Sequence, residues 1–171
     1  MLFFNYFCFF VVIFSVQTSL LPLIALAGVA PSLALIFSVY CGIKFEGFRG
    51  VGTGFMIGLV QDCLSGGALG INTLSKSLIA YSFFKLKDTI VVDGLIPTGI
   101  FLILASFFDG LVYYMASALL LKTAVPSGFL FPTLPIYAAY NALIGPMFFY
   151  ILNRNRKWVL SKISSRPIRF S

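Results

Sequence analysis

The chain has 171 residues, of which 60% are hydrophobic, 17% aromatic and only 10% charged, and its mean hydropathy is +1.01. Soluble domains are about half apolar and about a quarter charged, so this composition excludes a soluble globular protein and indicates a protein of the lipid bilayer. At roughly 20 residues per membrane-spanning helix, the chain has room for about six spans and little else.

The residue inventory excludes several kinds of catalytic and cofactor site. The chain has no histidine, which removes the Ser-His-Asp and Cys-His triads, imidazole metal sites and histidine proton relays. Its three cysteines lie far apart and form no CxxC pair, and its five acidic residues show no metal-ligand spacing. No nucleotide-binding glycine motif is present. We therefore expect no enzyme activity and no cofactor, and we attribute the net charge of +7 to a membrane orientation signal rather than to nucleic acid.

Six apolar runs predict an all-α integral membrane protein, a compact bundle of about six transmembrane helices. They cover residues 2–27, 31–43, 47–64, 69–84, 95–121 and 136–152. The first run is longer than the hydrophobic part of a signal peptide and no Lys or Arg precedes Lys44, so we expect it to be retained as a span. The third and fourth runs give helices of roughly 26 Å each, shorter than a hydrocarbon core of about 30 Å. Local thinning of the bilayer or a recess from the outer face would accommodate this short pair.

The basic residues predict the orientation of the bundle. Ten of the twelve fall on one side of the six-span arrangement. They are Lys44, Arg49, Lys85, Lys87, Arg154, Arg156, Lys157, Lys162, Arg166 and Arg169. The positive-inside rule places that side, and with it both chain ends, in the cytoplasm. We divide the chain into a transmembrane domain, residues 1–153, and a basic cytoplasmic tail, residues 154–171, whose cations either anchor the chain to membrane lipids or dock a cytoplasmic partner.

Three glycines recur every four residues in the third run and predict a close helix contact. Gly50, Gly54 and Gly58 share one helix face, Asp62 ends the series, and Gly66 continues its spacing beyond the run. A strip of glycines lets another helix approach closely, and such packing drives much of helix association in lipid. The contact is either internal to the bundle or made with a second protein or a second copy of the chain.

Charged and polar side chains inside the spans are candidates for a site. Asp109 and Lys76 lie near the middle of the fifth and fourth runs, where they must face the bundle interior, water or a partner. Asp109 and Lys76 are the natural candidates for a buried pair, with Asn72 beside Lys76 as a further intramembrane polar residue. The pair either fixes the helix register or serves a ligand or proton site. Asp62 lies nearer the outer interface and is hydrated, caps the turn backbone or is functional. The protonation states of both acids stay open.

Further short motifs lie between residues 47 and 84. The segment reads Gly52-Thr53-Gly54-Phe55-Met56-Ile57-Gly58, Asp62-Cys63-Leu64-Ser65-Gly66, Leu69-Gly70 and Ile79-Ala80-Tyr81. It resembles the bacterial rod shape-determining MreD family, whose pattern is a glycine-rich third span ending in Asp, then Ser-Gly and Leu-Gly. Pro31, Asp109 and the basic end are similar to the family as well, whereas Lys76 departs from its pattern.

The resemblance implies a non-enzymatic scaffold of cell-wall elongation in the bacterial inner membrane. Its partner would be an MreC-like protein with one span, and the assembly would couple cytoplasmic MreB filaments to a glycan polymerase and a transpeptidase of peptidoglycan synthesis. The glycine strip, with Gly66 and Gly70, would then hold the partner's span or the second copy of a homodimer.

Two other functional classes stay open at this point. The alternative is the membrane substrate-binding subunit of an energy-coupling vitamin-type transporter, in which Asp62, Asn72, Lys76 and Asp109 line an outward pocket. A membrane enzyme comes third, because it would need Asp62 or Asp109 together with a bound metal.

Overall fold

Five α-helices make up the described secondary-structure elements of the chain. The computed structural model describes residues 25, 28–45, 48–65, 69–87, 94–120, 131 and 133–164, with side chains as far as residue 154 except that of residue 120. Its helices are α1 (Leu33–Lys44), α2 (Phe48–Ser65), α3 (Ile71–Leu86), α4 (Leu95–Leu120) and α5 (Thr133–Ser164). They correspond to the second to sixth predicted spans and confirm the all-α prediction. The first predicted span lies, apart from Ala25, outside the described residues.

Helix length differs strongly across the bundle. By length and composition, two of the described helices are able to cross a membrane, over Leu95–Leu119 in α4 and Thr133–Arg154 in α5. Helices α1, α2 and α3 have 12, 18 and 16 residues. At 1.5 Å per residue they are about 18, 27 and 24 Å long, shorter than a hydrocarbon core of about 30 Å. Helices α4 and α5, with 26 and 32 residues, are therefore the longest of the described helices.

Helix α1 lies among the other described helices. Leu35, Ile36, Val39 and Cys41 are completely buried, and α4 and α5 contribute Leu102 and Phe149 to the same core. Helix α1 has no polar side, and a helix that is apolar all round its circumference is buried on every face. Its start is fixed by Ser32, whose Oγ accepts a hydrogen bond from Leu35 N at 3.2 Å and caps the helix.

The ends of α5 differ from the predicted boundaries. The helix begins at Thr133, three residues before the sixth predicted span, which starts at residue 136. Pro135 is accommodated because it falls in the first helical turn, where backbone N–H groups have no partner within the helix. Helix α5 then continues to Ser164, past the predicted start of the tail at residue 154.

Backbone packing around the glycine strip (Gly50, Gly54 and Gly58) joins α1, α2 and α3. A Cβ atom at Gly54 would lie 2.7 Å from Lys76 O, and one at Gly58 would lie 2.5 Å from Asn72 O, both in α3. At Gly50 it would lie 2.7 Å from Cys41 O in α1. All three glycines are buried. The strip therefore faces other helices of this chain, in the closely packed arrangement that glycine permits.

Basic residues cluster at one end of the described bundle, which we call the basic end. Lys44 lies in the last turn of α1 and Lys85 in the last turn of α3, while Arg49 opens α2. Tyr40 Oη donates a hydrogen bond to Asn153 Oδ1 at 3.3 Å, which places the part of α5 near Arg154 at this end. The opposite end carries the turn between α2 and α3 and the starts of α1 and α5.

Candidate functional site

Asp109 and Lys76 form a buried ion pair between α4 and α3. Lys76 Nζ lies 2.8 Å from Asp109 Oδ1 and 3.1 Å from Oδ2, and the two side chains are 2% and 10% exposed. The third interaction of the ammonium group is a 3.0 Å hydrogen bond to Asn72 Oδ1, one helical turn before Lys76. Opposite charges in direct contact reduce the cost of placing each charge in a low-dielectric interior.

Two hydroxyl groups also donate hydrogen bonds to the carboxylate of Asp109. Ser75 Oγ donates to Oδ1, and Tyr137 of α5 donates to Oδ2 at 2.9 Å. Each carboxylate oxygen therefore accepts from the ammonium and from one hydroxyl. We call Ser75, Lys76, Asp109 and Tyr137 the Asp109 cluster. Because its members come from three helices, it fixes the relative register of α3, α4 and α5.

A second buried polar contact ties the start of α1 to the same helices. Asn141 of α5 is fully buried, accepts from Ser32 N at 2.8 Å and donates from Nδ2 to Ser106 Oγ of α4 at 2.9 Å. Ser106 Oγ in turn donates to Leu102 O at 2.7 Å. Non-helical backbone at membrane depth needs such internal partners because lipid offers none. Asn141 supplies one for the segment that leads into α1.

Asp62 holds the beginning of α3 rather than a ligand. Its carboxylate is 1% exposed and accepts from the backbone N–H groups of Gly70, Asn72 and Thr73 at 2.9 to 3.0 Å. Thr73 Oγ1 donates a further hydrogen bond at 2.6 Å. Gly70 has a φ of 104°, which favours glycine, and turns its N–H towards the carboxylate. Asp62 thereby satisfies N–H groups that have no helical partner.

A cavity of about 360 Å³ lies beside the Asp109 cluster at the end opposite the basic end. Its polar lining consists of Ser32, Gln61, Asn72, Ser75, Lys76, Asp109, Tyr113, Thr133 and Tyr137. Its apolar wall includes Val29, Pro31, Ile71 and Leu134. Lys76 lies five residues after the start of α3, so the ion pair is about 8 Å below that helix end. The cavity lies at the end of the bundle where α2 ends and α3 begins.

The predicted site residues thus fall into separate groups. The cavity brings together Asn72, Lys76 and Asp109, whereas Asp62 caps α3. Gly70 lies in the turn before α3, and Arg154 is exposed near the basic end. Gly66 and the side chains of Arg156 and Lys157 lie outside the described residues. Within the described part of the chain, no three His, Cys, Asp or Glu side chains are grouped to hold a metal ion.

Several polar residues of this region were not identified from the sequence, among them Ser32, Gln61, Tyr137 and Asn141. Tyr137 and Asn141 lie four residues apart and share a face of α5, so a search for polar pairs at helical spacing would have found them. Gln61 was harder to predict from the sequence. It lies next to Asp62, but it lines the cavity whereas Asp62 caps α3.

The comparisons with known proteins agree with the resemblance seen in the sequence. No curated protein and no solved structure shows a significant similarity to the chain. The family model described as rod shape-determining protein MreD matches residues 1–155. The match covers nearly all of the chain, including every described helix except the end of α5, and the chain therefore belongs to the MreD family of rod shape-determining membrane proteins.

Proposed function

We propose that the chain is a non-enzymatic scaffold of the bacterial cell-wall elongation complex in the inner membrane. The observation that carries this proposal is the family match over residues 1–155. The scaffold binds an MreC-like single-span protein and helps to couple cytoplasmic MreB filaments to a glycan polymerase and a transpeptidase. The scaffold acts by binding its partners. For this it provides a membrane-embedded surface of fixed shape.

The proposed topology has six spans with both ends in the cytoplasm. The position of Lys44, Arg49, Lys85 and Arg154 at one end of the described bundle supports this orientation, because cytoplasmic segments carry an excess of cations. In this orientation the cavity faces the periplasmic half of the membrane. The cations at residues 154–171 then lie on the filament side, next to the lipid surface.

The packing of α2 and α3 supports a rigid scaffold. Gly54 and Gly58 bring the two backbones into direct contact, and Asp62 fixes the turn that joins the helices. Because these glycines already contact α3, we infer that they act on partner binding indirectly, by holding α2 in place. The side of α2 turned away from α3 carries exposed Phe55, Met56 and Leu59.

Affinity purification from native membranes in mild detergent tests the proposal. We expect the full chain to recover a single-span protein with a periplasmic coiled coil, together with wall-synthesis enzymes. Gly58→Leu should lose that partner, whereas Gly52→Leu is the matched control, since a Cβ atom at Gly52 has no neighbour within 4 Å. Partner recovery unchanged by Gly58→Leu would remove the role given to the strip, and failure to recover such a partner with the unaltered chain would refute the scaffold.

The transporter alternative rests on one observation, the cavity beside Lys76 and Asp109. A substrate-binding subunit would co-purify with an ATPase module and with a stoichiometric vitamin-like compound. The same preparation, analysed for proteins and small molecules by mass spectrometry, separates the two functions. The family match favours the scaffold, because rod shape determination is the role of that family.

A further inference from the structure

We propose that the N-terminal apolar segment of this chain, residues 2–24, packs against α1 in the space between α2 and α5, which we call the α1 cleft. The proposal concerns the assembly of a single chain and does not depend on the scaffold function. Three observations support it: two helices that do not meet, a buried side of α1 that faces the space between them, and a partly buried flank of α5 beside that space.

The other described helices surround α1 on three sides. Helix α3 approaches α1 closely at Gly42, α2 packs on Cys41 through Gly50, and the rings of Tyr40 and Phe149 of α5 have centroids 5.2 Å apart. In the order α2, α3, α4 and α5 each helix contacts the next, but no Cα atom of α5 lies within 8 Å of one in α2. Packed helices have axes about 8–10 Å apart, so the ring around α1 stays open between α5 and α2.

The side of α1 that faces this opening is nevertheless buried. Phe37 lies four residues before Cys41 and three before Tyr40, and at about 3.6 residues per turn its position around the helix falls between theirs. Cys41 contacts α2 and Tyr40 contacts α5, so Phe37 faces the α1 cleft. Phe37 is only 8% exposed, and Leu33, one turn earlier, is 4% exposed. Residues outside the described helices therefore cover this side of α1.

Helix α5 is partly buried on the flank that borders the α1 cleft. Ala142 marks the flank next to α4, because its carbonyl oxygen would lie 3.6 Å from a Cβ atom at Gly99. Ile144 and Phe148 lie two and six residues further on, which places both on the other flank at about 100° per residue. Both side chains are partly buried, whereas the neighbouring Leu143 is 79% exposed. The cover over α1 thus extends onto α5.

Residues 2–24 are the segment of the chain that fits this cleft. Every other stretch outside the described residues has at most ten residues. Residues 2–24 contain no charged residue and are long enough to cross a hydrocarbon core of about 30 Å. They end shortly before the start of α1, so the connection to the cleft is short. Seven of them are aromatic and match the aromatic walls at Phe37 and Phe148, since aromatic rings pack favourably on each other.

Disulfide cross-linking of the full chain in native membranes tests the proposal. The native cysteines are first removed by Cys8→Ser, Cys41→Ala and Cys63→Ser. One cysteine is then placed at each position from 10 to 17 in turn, and a second one at Ile144, because a disulfide needs Cα atoms within about 7 Å of each other. Leu143→Cys is the matched control, since it is adjacent in the same helix and exposed. A protease site inserted between residues 125 and 126 ensures that only a cross-linked chain stays intact after cleavage.

We expect Ile144→Cys to cross-link within one chain to one or more of positions 10–17, and Leu143→Cys to give no cross-link. Cross-links between two chains would place a second copy in the cleft, and equal cross-linking of Ile144→Cys and Leu143→Cys would mean that the segment has no fixed place. Absence of any cross-link would mean that another molecule, such as a partner's span, fills the cleft. Each of these results would overturn the proposal. Phe148→Cys, with the exposed Met147→Cys as its control, is the second pair if the Ile144 variant does not fold.

Discussion

Replacing Gly58 by alanine is the sharpest test of the packing between α2 and α3. The added Cβ atom would lie 2.5 Å from Asn72 O and 2.5 Å from Thr73 Cα, whereas ordinary contact begins at 3.4 Å. Both neighbours are backbone atoms, so no side-chain rotation relieves the clash. The two helices would have to separate locally by about 0.9 Å, the difference between these distances. The beginning of α3 resists this shift because Asp62 binds its N–H groups.

The expected loss of stability is estimated by comparison with Gly52 in the same helix. A Cβ atom at Gly52 has no neighbour within 4 Å, so Gly52→Ala changes only the backbone preference for the helix. Alanine favours a helix over glycine by about 1 kcal/mol in water, and this gain is similar at both positions. Overpacking of a close contact costs about 1–3 kcal/mol. We therefore expect Gly58→Ala to be about 2 kcal/mol less stable than Gly52→Ala.

Unfolding of the full chain in mixed micelles, titrated with dodecyl sulfate and followed by far-ultraviolet circular dichroism, measures this difference. The unaltered chain, Gly52→Ala and Gly58→Ala are compared in one detergent. Equal stability of the two variants would refute the reasoning, because it would mean that α3 moves away from α2 without loss of other contacts. Stabilisation by Gly58→Ala would contradict the close approach itself.

Further predictions concern the buried polar residues, all read out by the same unfolding titration. Asp62→Ala should cost about 2 kcal/mol or more because it leaves several N–H groups of α3 without an acceptor, whereas Ser65→Ala should cost under about 1 kcal/mol. Asp109→Leu should cost about 3–5 kcal/mol by leaving Lys76 unpaired, and addition of Lys76→Met should restore most of this loss. If the double variant is no more stable than Asp109→Leu, the pair does not account for the loss. Asn141→Leu should cost about 1–3 kcal/mol, because Ser32 N loses its acceptor; an unchanged midpoint would contradict this.

The helices and the inward direction of Asp109 and Lys76 were predictable from the sequence for a physical reason. In lipid, an apolar run of sufficient length favours a helix, and a charged side chain must turn away from the hydrocarbon. When one acid and one base lie in the middle of neighbouring runs, a direct ion pair is one of the few arrangements that keep both charges away from the hydrocarbon. The glycine spacing defined a shared face by the same geometric reasoning.

The hydrogen-bond partners of Asp62 and Asn141 were harder to predict from the sequence. Asp62 binds N–H groups eight to eleven residues further along, and such contacts depend on the conformation of the turn, including the positive φ of Gly70. Ser32 and Asn141 are 109 residues apart, and only the enclosed position of α1 brings them together. The start of α5 was placed at residue 136 rather than at Thr133 because Pro135 is compatible with a helix start as well as with the connection before it.

Two kinds of interaction hold the described bundle together. Backbone packing extends along α2, from Gly50 against Cys41 O near the basic end to Gly58 against Asn72 O near the opposite end. Towards the opposite end, carboxylates and an amide accept hydrogen bonds across helices. Glycine contacts set how closely two helices approach, whereas a buried ion pair has one geometry in which all its groups are satisfied. The Asp109 cluster therefore fixes the register of the described bundle. Changes there should alter the relative positions of the helices more than their insertion into the membrane, and a scaffold depends on those positions.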